Sequence, residues 1–519
     1  MELVKEQIQM KEQSCRSNLQ ITLEDDFNVP DSKADIDRIV TQDGRIEIVE
    51  TNLLNGKLLV KGMLHFEMIY MSHEGSQLVH SIQGKIPFDE MVNMDSVGET
   101  DSIRVNWELE DVNSSLINSR KISVKALLML RCCAWQKKEL EIPVGVSGQE
   151  KLPCQYEDIN VTELIAAKKD LLRIKENFHL PAGKANIDQI LYSNITLQNI
   201  EVRAQERQIL IRGEMCLFVL YREQSEEQKV VCFEGEQPFY STLECEECGE
   251  KRLVQMDMEL QSKEVQVKQD EDGEEREVEA ELALNLDFGI YEERTLSYLK
   301  DMYSLEKELV PNRIQTKYRH LLFQNSFQKR INEQLPLETP KNPIAQICHS
   351  RGCVQVDELE WREEGIVIEG SIEIKILYLG QQAEWPMGEV KLSVPFSHVM
   401  DGVGSKENKS FEVKPRLEQL GVSLLGPETV EVKLLLTMET CIYQQRRLDV
   451  IDKVEEKEWD AEKFKQMPDM VGYLVQPEDD LWSVAKRFYT TQEAILECNQ
   501  LKDKKLVAGE KILVIAQNQ

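Results

Sequence analysis

Three copies of one short segment constrain the fold of this chain more than any other feature. They read KLLVKGMLHFEMIY at 57–70, QILIRGEMCLFVLY at 208–221 and GIVIEGSIEIKILY at 365–378. In each copy a glycine is followed eight residues later by a tyrosine, and a Pro-Phe pair stands 25 residues after the glycine. Several landmarks that keep one spacing indicate tandem repeats, so we predict three related domains followed by a different C-terminal segment.

Hydrophobic residues alternate along these segments in the way that a strand with one buried face requires. The positions two, four and six residues after each glycine are apolar: Leu64, Phe66, Met68, Met215, Leu217, Val219, Ile372, Ile374 and Ile376. Because alternate side chains of a strand point to opposite faces, these nine are predicted to line a core. In the second copy Cys216, Phe218 and Leu220 between them are apolar too, so that strand is expected to be covered on both sides.

A second shared block lies upstream of each glycine. It reads, in chain order, PDSKADIDRIV at 30–40, PAGKANIDQIL at 181–191 and, more weakly, ETPKNPIAQIC at 338–348. In the first copy Ile36, Ile39 and Val40 fall at helical spacing, which predicts a short helical turn. Asn55-Gly56, just before the first glycine strand, predicts a tight hairpin turn.

Four further segments are predicted to connect these elements. VTELIAAKKDLLRIKENF at 161–178 opens with a capping box, and RTLSYLKDMYSLEKELV at 294–310 is similar, so both are predicted to be helical connectors. The acidic run at 269–281 is either a charged hairpin loop or a short disordered insert. The charged segment at 453–470 is expected to be a tether before the last domain.

The predicted fold class is therefore mainly β with some α. We expect three tandem β-rich, β-sandwich-like repeat domains joined by helical connectors, plus a small βααβ domain. The predicted domains are a first repeat at 1–155, a second repeat with a leading helix at 156–310, a third repeat with a leading helix at 311–455, a charged tether at 456–470 and the small domain at 471–519.

Composition narrows the possible functions. The formal charge of −31 disfavours nucleic acid and anionic lipid, because the field of the protein opposes the binding of a polyanion. Residues 1–20 have no apolar core of an export signal, and no run of about 18 apolar residues could span a membrane. These patterns predict an intracellular protein without a membrane span.

The cysteines and the catalytic motifs give no sign of a metal centre or an enzyme. Twelve cysteines are scattered, and Cys245 and Cys248 form a single CxxC without the second pair of ligands that zinc needs. We predict reduced thiols, no disulfides and no bound metal. The sequence contains no GxSxG, HExxH, P-loop or GxGxxG motif, so we predict a protein that is not an enzyme and has no cofactor.

Residues 471–519 follow a different pattern, in which two short strands flank two helices. The positions that define it are Tyr473, Val475, Leu481, Val484, Ala485, Phe488, Leu496, Asn499, Gly509, Ile512 and Val514. Four of these, from Leu481 to Phe488, fall on one face of a helix. The pattern resembles the LysM family, a βααβ module best known for binding cell-wall sugars.

The resemblance breaks at the loop before the first helix. Glu478, Asp479 and Asp480 stand where the family usually has Gly-Asp-Thr, and Ala516 replaces the usual closing proline. That glycine lets the backbone approach the acetamido groups of a sugar chain, whereas glutamate adds bulk and charge. We therefore predict a compromised sugar groove. The alternative is ordinary drift within a working glycan binder.

The repeat region resembles the clostridial-type spore-coat (SPOCS) repeat. The family motif Pro-x-x-Lys-Pro-Asp-Ile stands here as PDSKADI at 30–36, with Ala34 and Ala185 replacing the second proline. The third copy keeps Pro343 but has Glu338 in place of the leading proline, so we take it as the most divergent.

Coat repeats followed by one terminal LysM module are similar in order to clostridial spore-coat morphogenetic proteins. The resemblance implies a non-enzymatic adaptor or scaffold of the mother-cell cytoplasm that is recruited to the forespore surface. It implies that the LysM module binds the ATPase of the coat's basal layer, while the repeats bind other coat proteins and support coat assembly and encasement. The alternative is a protein that binds peptidoglycan or another glycan through LysM.

Candidate partner contacts lie in the first loop and first helix of the LysM module. Asp479 and Asp480 could pair with a basic partner, and Trp482 beside them could be an exposed interface anchor. The equally weighted alternative is that Trp482 caps the small core. Lys504 and Lys505, in the loop before the last strand, are weaker candidates.

Overall fold

The computed structural model of the chain is built almost entirely of β-strands. It describes residues 1–73, 77–95, 97–98, 100–148, 152–337, 343–382, 386–401, 404–426, 428–458, 470–501 and 505–515. Within those residues twenty strands and two short helices are present, and both helices lie near the C-terminus. The prediction of a mainly β fold with three β-rich domains and a small βααβ domain is confirmed.

Each repeat folds into six strands that form two three-stranded antiparallel sheets. The first repeat contains β1 (Glu2–Asn28), β2 (Arg38–Leu54), β3 (Lys57–Met71), β4 (Val79–Asn93), β5 (Ser102–Asn118) and β6 (Lys121–Ser147). The second contains β7 (Cys154–His179), β8 (Ile187–Gln205), β9 (Gln208–Glu223), β10 (Val230–Glu244), β11 (Leu253–Lys268) and β12 (Glu277–Met302). The third contains β13 (Glu308–Pro336), β14 (Ile344–Arg362), β15 (Gly365–Gly380), β16 (Met387–Met400), β17 (Lys409–Gly426) and β18 (Thr429–Lys457).

The sheet topology is the same in all three repeats. The second, third and fourth strands form one sheet with the glycine strand in its centre. The first, sixth and fifth strands form the other sheet, with the sixth in its centre. All nine alternating residues of β3, β9 and β15 are buried in the cores between these sheets, as predicted. Phe218 and Leu220 on the opposite face of β9 are buried too, so that strand is covered on both sides.

The glycine and Pro-Phe landmarks explain each other. Gly62 pairs across the sheet with Phe88, and Gly213 pairs with Phe239 in the same way. A Cβ atom on Gly213 would stand 2.9 Å from the Phe239 ring, closer than packed carbon atoms approach. The phenylalanine ring therefore lies over the bare glycine backbone, and a larger residue at the glycine position would displace it.

The conserved-spacing tyrosine at the end of the glycine strand forms a hydrogen bond to the backbone of the shared upstream block. The Tyr70 hydroxyl donates to the Ala34 carbonyl at 2.9 Å, and the Tyr221 hydroxyl donates to the Ala185 carbonyl at 3.2 Å. The block's lysine acts on the neighbouring strand, since Lys33 Nζ donates to the Ser81 carbonyl at 2.7 Å. Neither contact uses the side chain that replaces the family's second proline, so the alanines leave this fastening intact.

The predicted helical connectors are wrong. Residues 161–178 lie inside β7, which pairs with β12 along nearly its whole length. Residues 294–310 comprise the end of β12, a short link and the start of β13. The helical turn expected within 30–40 is also wrong, because the chain makes a β-turn there and β2 begins at Arg38. Strand pairing over a long register satisfies the backbone of these segments and outweighs their local helix signals.

The remaining connections agree better with the sequence. Asn55 and Gly56 have φ of 48° and 76°, the left-handed conformation that a tight hairpin turn requires. Of the two readings of 269–281 the hairpin loop is present, because Lys268 pairs with Glu277 across a turn. Most of the predicted tether, 459–469, lies outside the described residues, and β18 continues to Lys457. The domain boundaries stay a prediction.

The first and sixth strands of each repeat extend as long two-stranded ribbons, and the inner faces of the three ribbons pack together. We call this buried apolar cluster the ribbon junction; it contains Ile8, Met10, Leu140, Ile142, Ile159, Val161, Leu296, Tyr298, Tyr318, Leu448 and Val450. A second shared cluster also takes residues from all three repeats, among them Ile69, Phe218 and Leu377. The three ribbons therefore share one buried core, and the second cluster joins the three repeats at another place.

Polar contacts show that each repeat touches both of the others. The first and second repeats meet through Lys263 and Glu67, 3.8 Å apart, and the second and third through Asn194 and His349, 3.1 Å apart. The third and first are joined by an ion pair between Arg351 and Asp43. The three repeats thus form a closed ring.

Candidate partner-binding site

The C-terminal module has the predicted order of strand, helix, helix and strand. It consists of β19 (Met470–Leu474), α1 (Leu481–Arg487), α2 (Gln492–Asn499) and β20 (Lys511–Ile515), and β19 pairs antiparallel with β20. Its core contains Val475, Leu481, Val484, Ala485, Ile495, Ile512 and Val514. Asn499 fastens α2 to β20, because its side-chain amide donates to the Leu513 carbonyl at 2.7 Å and its oxygen accepts the Leu513 N–H at 2.6 Å.

Asp480 serves as the N-cap of α1. Its carboxylate accepts the Ser483 N–H at 2.7 Å, and the Ser483 hydroxyl lies 3.1 Å from the Asp480 nitrogen, which completes a capping box. Such a cap satisfies backbone donors that the first turn of a helix leaves open. The aspartate that stands at the family's usual threonine position therefore has a local structural role, while its side chain remains at the surface.

Asp479 is bound inside the first loop. Its carboxylate accepts the Tyr473 hydroxyl at 2.5 Å and the Gln476 N–H at 2.8 Å, and Arg487 lies 3.6 Å away. The side chain is only 6 % exposed. The Tyr473 hydrogen bond, followed by the Gln476 backbone bond, holds the pKa of Asp479 below its ordinary value. This carboxylate closes the loop and has little surface left for a partner.

Trp482 faces the repeats and is 8 % exposed. Its indole Nε1 donates to Asp301 Oδ2 at 2.9 Å, and its ring meets Tyr303 edge-on with centroids 5.0 Å apart. The prediction of an exposed tryptophan is wrong in this structure. The alternative that Trp482 caps the core is closer, because the ring closes the module's core against the end of β12 and the residues that follow it.

Asp301 is the centre of this contact. Lys486 Nζ lies 2.7 Å and 2.8 Å from its two oxygens, and Arg313 pairs with it at 2.9 Å. Burial alone would raise the pKa of Asp301, but hydrogen bonds from Lys486 and Trp482 outweigh burial and hold the pKa below its ordinary value. The carboxylate is therefore ionised when the module is docked.

Tyr303 adds an apolar component to the same contact. It is 4 % exposed, belongs to the module's core cluster, and its hydroxyl donates to the Thr490 carbonyl at 2.7 Å. Sequence reasoning missed both Asp301 and Tyr303. The LysM pattern gives no signal for them, because they lie far upstream in a segment that was interpreted as a helix.

The two lysine candidates lie near the C-terminal end of the module, in the segment between α2 and β20. Lys505 is exposed in the loop before β20, and Lys504 lies outside the described residues. The structure therefore brings Asp479 and Asp480 together at the first loop and turns Trp482 toward the repeats.

The CxxC segment is part of the second repeat's core. Cys245 and Cys248 are 1 % and 4 % exposed, and the Cys248 N–H donates to the Cys245 carbonyl at 3.0 Å in a tight turn. Burial raises the pKa of Cys248 to about 12, so its thiol stays protonated at neutral pH. Within the described ranges no group of three or more His, Cys, Asp or Glu residues is placed to hold a metal ion.

Family comparisons assign both parts of the chain. Residues 35–117, 186–268 and 343–425 match the family described as SipL, SPOCS domain, and residues 473–514 match the LysM domain. The chain carries three SPOCS domains and one LysM domain. The SPOCS matches begin at the same 151- and 157-residue spacings as Gly62, Gly213 and Gly370, so the resemblance drawn from those landmarks is confirmed.

No curated protein and no solved structure matched the chain significantly. SPOCS and LysM domains are non-catalytic binding domains, and together they indicate a sporulation-related scaffold with a LysM module for glycan or protein partners. Neither helix in the described part of the chain has the length and hydrophobicity needed to cross a bilayer.

Proposed function

We propose that this protein is a non-enzymatic spore-coat morphogenetic adaptor. Its LysM domain docks onto the ATPase of the coat's basal layer at the forespore surface, and its SPOCS repeats bind other coat proteins and support assembly and encasement. The protein acts from the mother-cell cytoplasm. The domain composition supports the sporulation role, and the LysM first loop supports a protein partner over a sugar.

The first loop of the LysM domain is the feature that favours a protein partner over a sugar. A LysM domain that binds sugar needs an open loop that a sugar chain can approach closely. Here Asp479, which matches the family's aspartate, is bound by Tyr473 and Gln476, and Asp480, which replaces the usual threonine, caps α1. Both aspartates are therefore used within the module. The exposed Glu478 adds a negative charge beside them.

An exposed apolar surface adjoins that loop. Leu474, at the end of β19, is 47 % exposed, and Val507, in the turn before β20, is 63 % exposed. Backbone bonds from Gly509 to the Val475 carbonyl and from Val475 to the Glu510 carbonyl hold that turn against the end of β19. We call Leu474 and Val507 the apolar tip. Exposed apolar side chains with a charged rim are typical of protein interfaces.

The residues predicted to contact the partner divide into two groups. Asp480 and Lys505 are exposed and remain candidates, as does Lys504. Asp479 and Trp482 support the interface indirectly, because one closes the loop and the other fixes the module to the second repeat.

The repeats offer a different kind of surface. β4, β10 and β16 are edge strands of their sheets, and an open edge can accept another strand. Tyr240 on β10 is 69 % exposed, whereas the corresponding residues, by the repeat spacing, are Asp89 and Ser397. An exposed tyrosine is a favourable contact residue, so the second repeat is the first candidate for binding another coat protein.

The test uses the full chain, the purified coat ATPase and insoluble peptidoglycan. Val507→Glu puts a charge on the apolar tip, and Leu171→Glu puts one on an exposed apolar residue of the second repeat, which is 39 % exposed. We expect Val507→Glu to weaken capture of the ATPase at least about tenfold, as loss of a central interface contact does. Leu171→Glu should bind normally.

Peptidoglycan sedimentation decides between the two classes of partner. We expect the wild-type protein to stay in the supernatant. Tight sedimentation with peptidoglycan, together with ATPase capture that Val507→Glu leaves unchanged, would replace the adaptor by the glycan-binding alternative.

A further inference from the structure

A small cavity lies where the three repeats meet. It has a volume of about 80 Å³ and is lined by side chains from every repeat, including Met10, Lys11, Arg104, Trp135, Tyr291 and Tyr443. A single water needs roughly 10–15 Å³ of such space, so the cavity has room for several waters or one small ion. It is distinct from the LysM domain and from its contact with Asp301.

The lining residues occupy equivalent positions in the repeats. Lys11, Thr162 and Arg319 follow the 151- and 157-residue spacing of the glycine strands, and so do Arg104, Gln255 and Glu412. The three aromatic residues are equivalent too, since Trp135, Tyr291 and Tyr443 pair with Ser102, Leu253 and Ser410, which keep that spacing. The cavity is thus a product of ring closure and not of one repeat.

Two of the three positions place a cation on an aromatic ring. The Lys11 ammonium lies 5.2 Å from the centre of the Trp135 ring, and the Arg319 guanidinium lies 3.4 Å from the centre of the Tyr443 ring. Such contacts help to hold a partly desolvated cation. In the second repeat the equivalent pair is Thr162 and Tyr291, which carries no charge.

The charges around the cavity are not balanced. Four cationic side chains and two acidic ones line it: Lys11, Arg104, Arg319, Lys414, Asp257 and Glu412. This excess of positive charge is unusual in a chain whose net charge is −31. The lining of the cavity therefore has the opposite sign to the protein as a whole.

Three of these four cations form an ion pair or hydrogen bond with a carboxylate. Arg104 pairs with Asp257 and with Asp287, the latter at 3.0 Å, and Lys414 pairs with Asp257. Arg319 donates to Glu412 at 3.1 Å.

Lys11 differs from the other cations of the cavity. Within the described part of the chain it has no carboxylate in ion-pair contact. Burial, followed by the nearby charge of Arg104, lowers the pKa of its ammonium group. The charges of Asp287, Asp257 and Glu412 act in the opposite direction, but these carboxylates already pair with Arg104, Lys414 or Arg319.

Trp135, which lines the cavity, has an unsatisfied donor. The Trp135 Nε1 atom is buried, and among the described residues it has no hydrogen-bond acceptor. A buried N–H group without an acceptor is costly, and a bound water or ion that supplies the missing oxygen is one physical explanation for such a group. Lys11 and Trp135 are neighbours across the same cation–ring contact.

We propose that this cavity is a binding site for a small oxyanion of the phosphate or carboxylate type. One oxygen would accept from the Lys11 ammonium and another from Trp135 Nε1, while the negative charge screens Lys11 from Arg104. The site is connected to solvent, because the Arg104 and Lys414 side chains are 21 % and 46 % exposed. Bound there, the ion would bridge side chains of different repeats and so stabilise the closed ring.

The first test is thermal unfolding and calorimetric titration of the full chain with inorganic phosphate and, separately, with succinate, at constant ionic strength set by chloride. We expect a saturable rise in the melting temperature with at least one of the two ions, and the tighter ion identifies the class of ligand. Lys11→Met, which keeps the length of the side chain and removes its charge, should weaken binding about tenfold or more, as loss of a charged hydrogen bond does.

Lys138→Met is the matched control. Lys138 lies on the same ribbon but pairs at the surface with Glu12, 3.0 Å away, so its removal should leave ion binding unchanged. Trp135→Phe keeps a ring beneath Lys11 and removes the Nε1 donor, and it should weaken binding severalfold even where Lys11→Met proves poorly folded.

Two results would overturn the proposal. The first is no saturable binding of either ion by the wild-type protein. The second is binding that Lys11→Met and Trp135→Phe both leave unchanged, because a general salt effect on the acidic surface would then explain the stabilisation.

Discussion

The two contacts that hold this molecule together differ in kind. The ribbon junction consists of apolar side chains from all three repeats, many of them fully buried. The LysM domain is held on the second repeat largely by one carboxylate, Asp301, with Trp482, Lys486 and Tyr303 around it. Burial of one large apolar side chain contributes roughly 1.5–3 kcal/mol, so the junction is the far stronger contact.

This difference assigns separate roles to the two parts. The repeats cannot separate without exposing a shared core, which makes the ring one permanent body. The LysM contact combines charge-assisted hydrogen bonds to Asp301 with the packing of Tyr303 in the module's core cluster, so breaking it exposes far less apolar surface than separating the repeats.

The largest effect should come from breaking the ribbon junction. Ile8 is fully buried there, and Ile8→Ala removes its packing against two other repeats. We expect a loss of about 2–5 kcal/mol in the free energy of unfolding, the usual cost of such a cavity, measured by urea denaturation. Val4→Ala, on the same strand but 46 % exposed, should cost less than about 0.5 kcal/mol.

Ile8→Ala also tests whether the ring is cooperative. If the repeats share one core, hydrogen exchange should rise in β7 and β13 as well as in β1. Faster exchange confined to β1 would mean that the repeats are stable independently and that the ribbon junction does not bind them into one cooperative unit.

A smaller and more local effect should follow from breaking the LysM contact. Asp301→Ala leaves the buried Trp482 Nε1 and the Lys486 ammonium without their acceptor, which should cost the contact roughly 2–4 kcal/mol. We expect faster hydrogen exchange in residues 299–303 and 481–490, with no change at the ribbon junction. Asp158→Ala, at an exposed position of the adjacent strand β7, is the control.

One result would contradict the central role of Asp301 in the LysM contact. Unchanged exchange in α1 and around Tyr303 would show that the apolar part of the contact is sufficient by itself. The LysM domain would then be as permanently attached as the repeats are to one another.

The sequence predicted what depends on local pattern and internal repetition. The glycine, Pro-Phe and tyrosine landmarks identified the glycine strand of every repeat, since Phe88 and Gly62 face each other in a register that all copies share. The buried face of α1 could be read from helical spacing in the same way. These features need only neighbouring residues or an internal comparison.

The other features depend on contacts between residues far apart in sequence, which local patterns do not reveal. Residues 161–178 carry helix signals, but their neighbour along the sheet is β12, more than a hundred residues away in sequence. The sequence leaves Trp482 open between an exposed anchor and a core cap, because its acceptor, Asp301, is 181 residues upstream. The cavity around Lys11 was invisible for the same reason, because it exists only when three repeats close into a ring.

The smallest expected effect concerns the unusual first loop of the LysM domain. Asp480→Ala removes the N-cap of α1, and the loss of such a cap typically costs about 0.5–2 kcal/mol. We expect faster hydrogen exchange in the first turn of α1 while the Asp301 contact, which begins at Trp482, remains. Asp480→Asn should behave like the wild type, because an amide oxygen can accept the same Ser483 N–H. Glu478→Ala at the neighbouring exposed position should have no effect on the helix.

If Asp480→Asn weakens ATPase capture as strongly as Asp480→Ala does while α1 stays protected, the carboxylate's charge contacts the partner directly. If only Asp480→Ala weakens capture, the aspartate acts by ordering the helix, and the apolar tip formed by Leu474 and Val507 provides the binding surface.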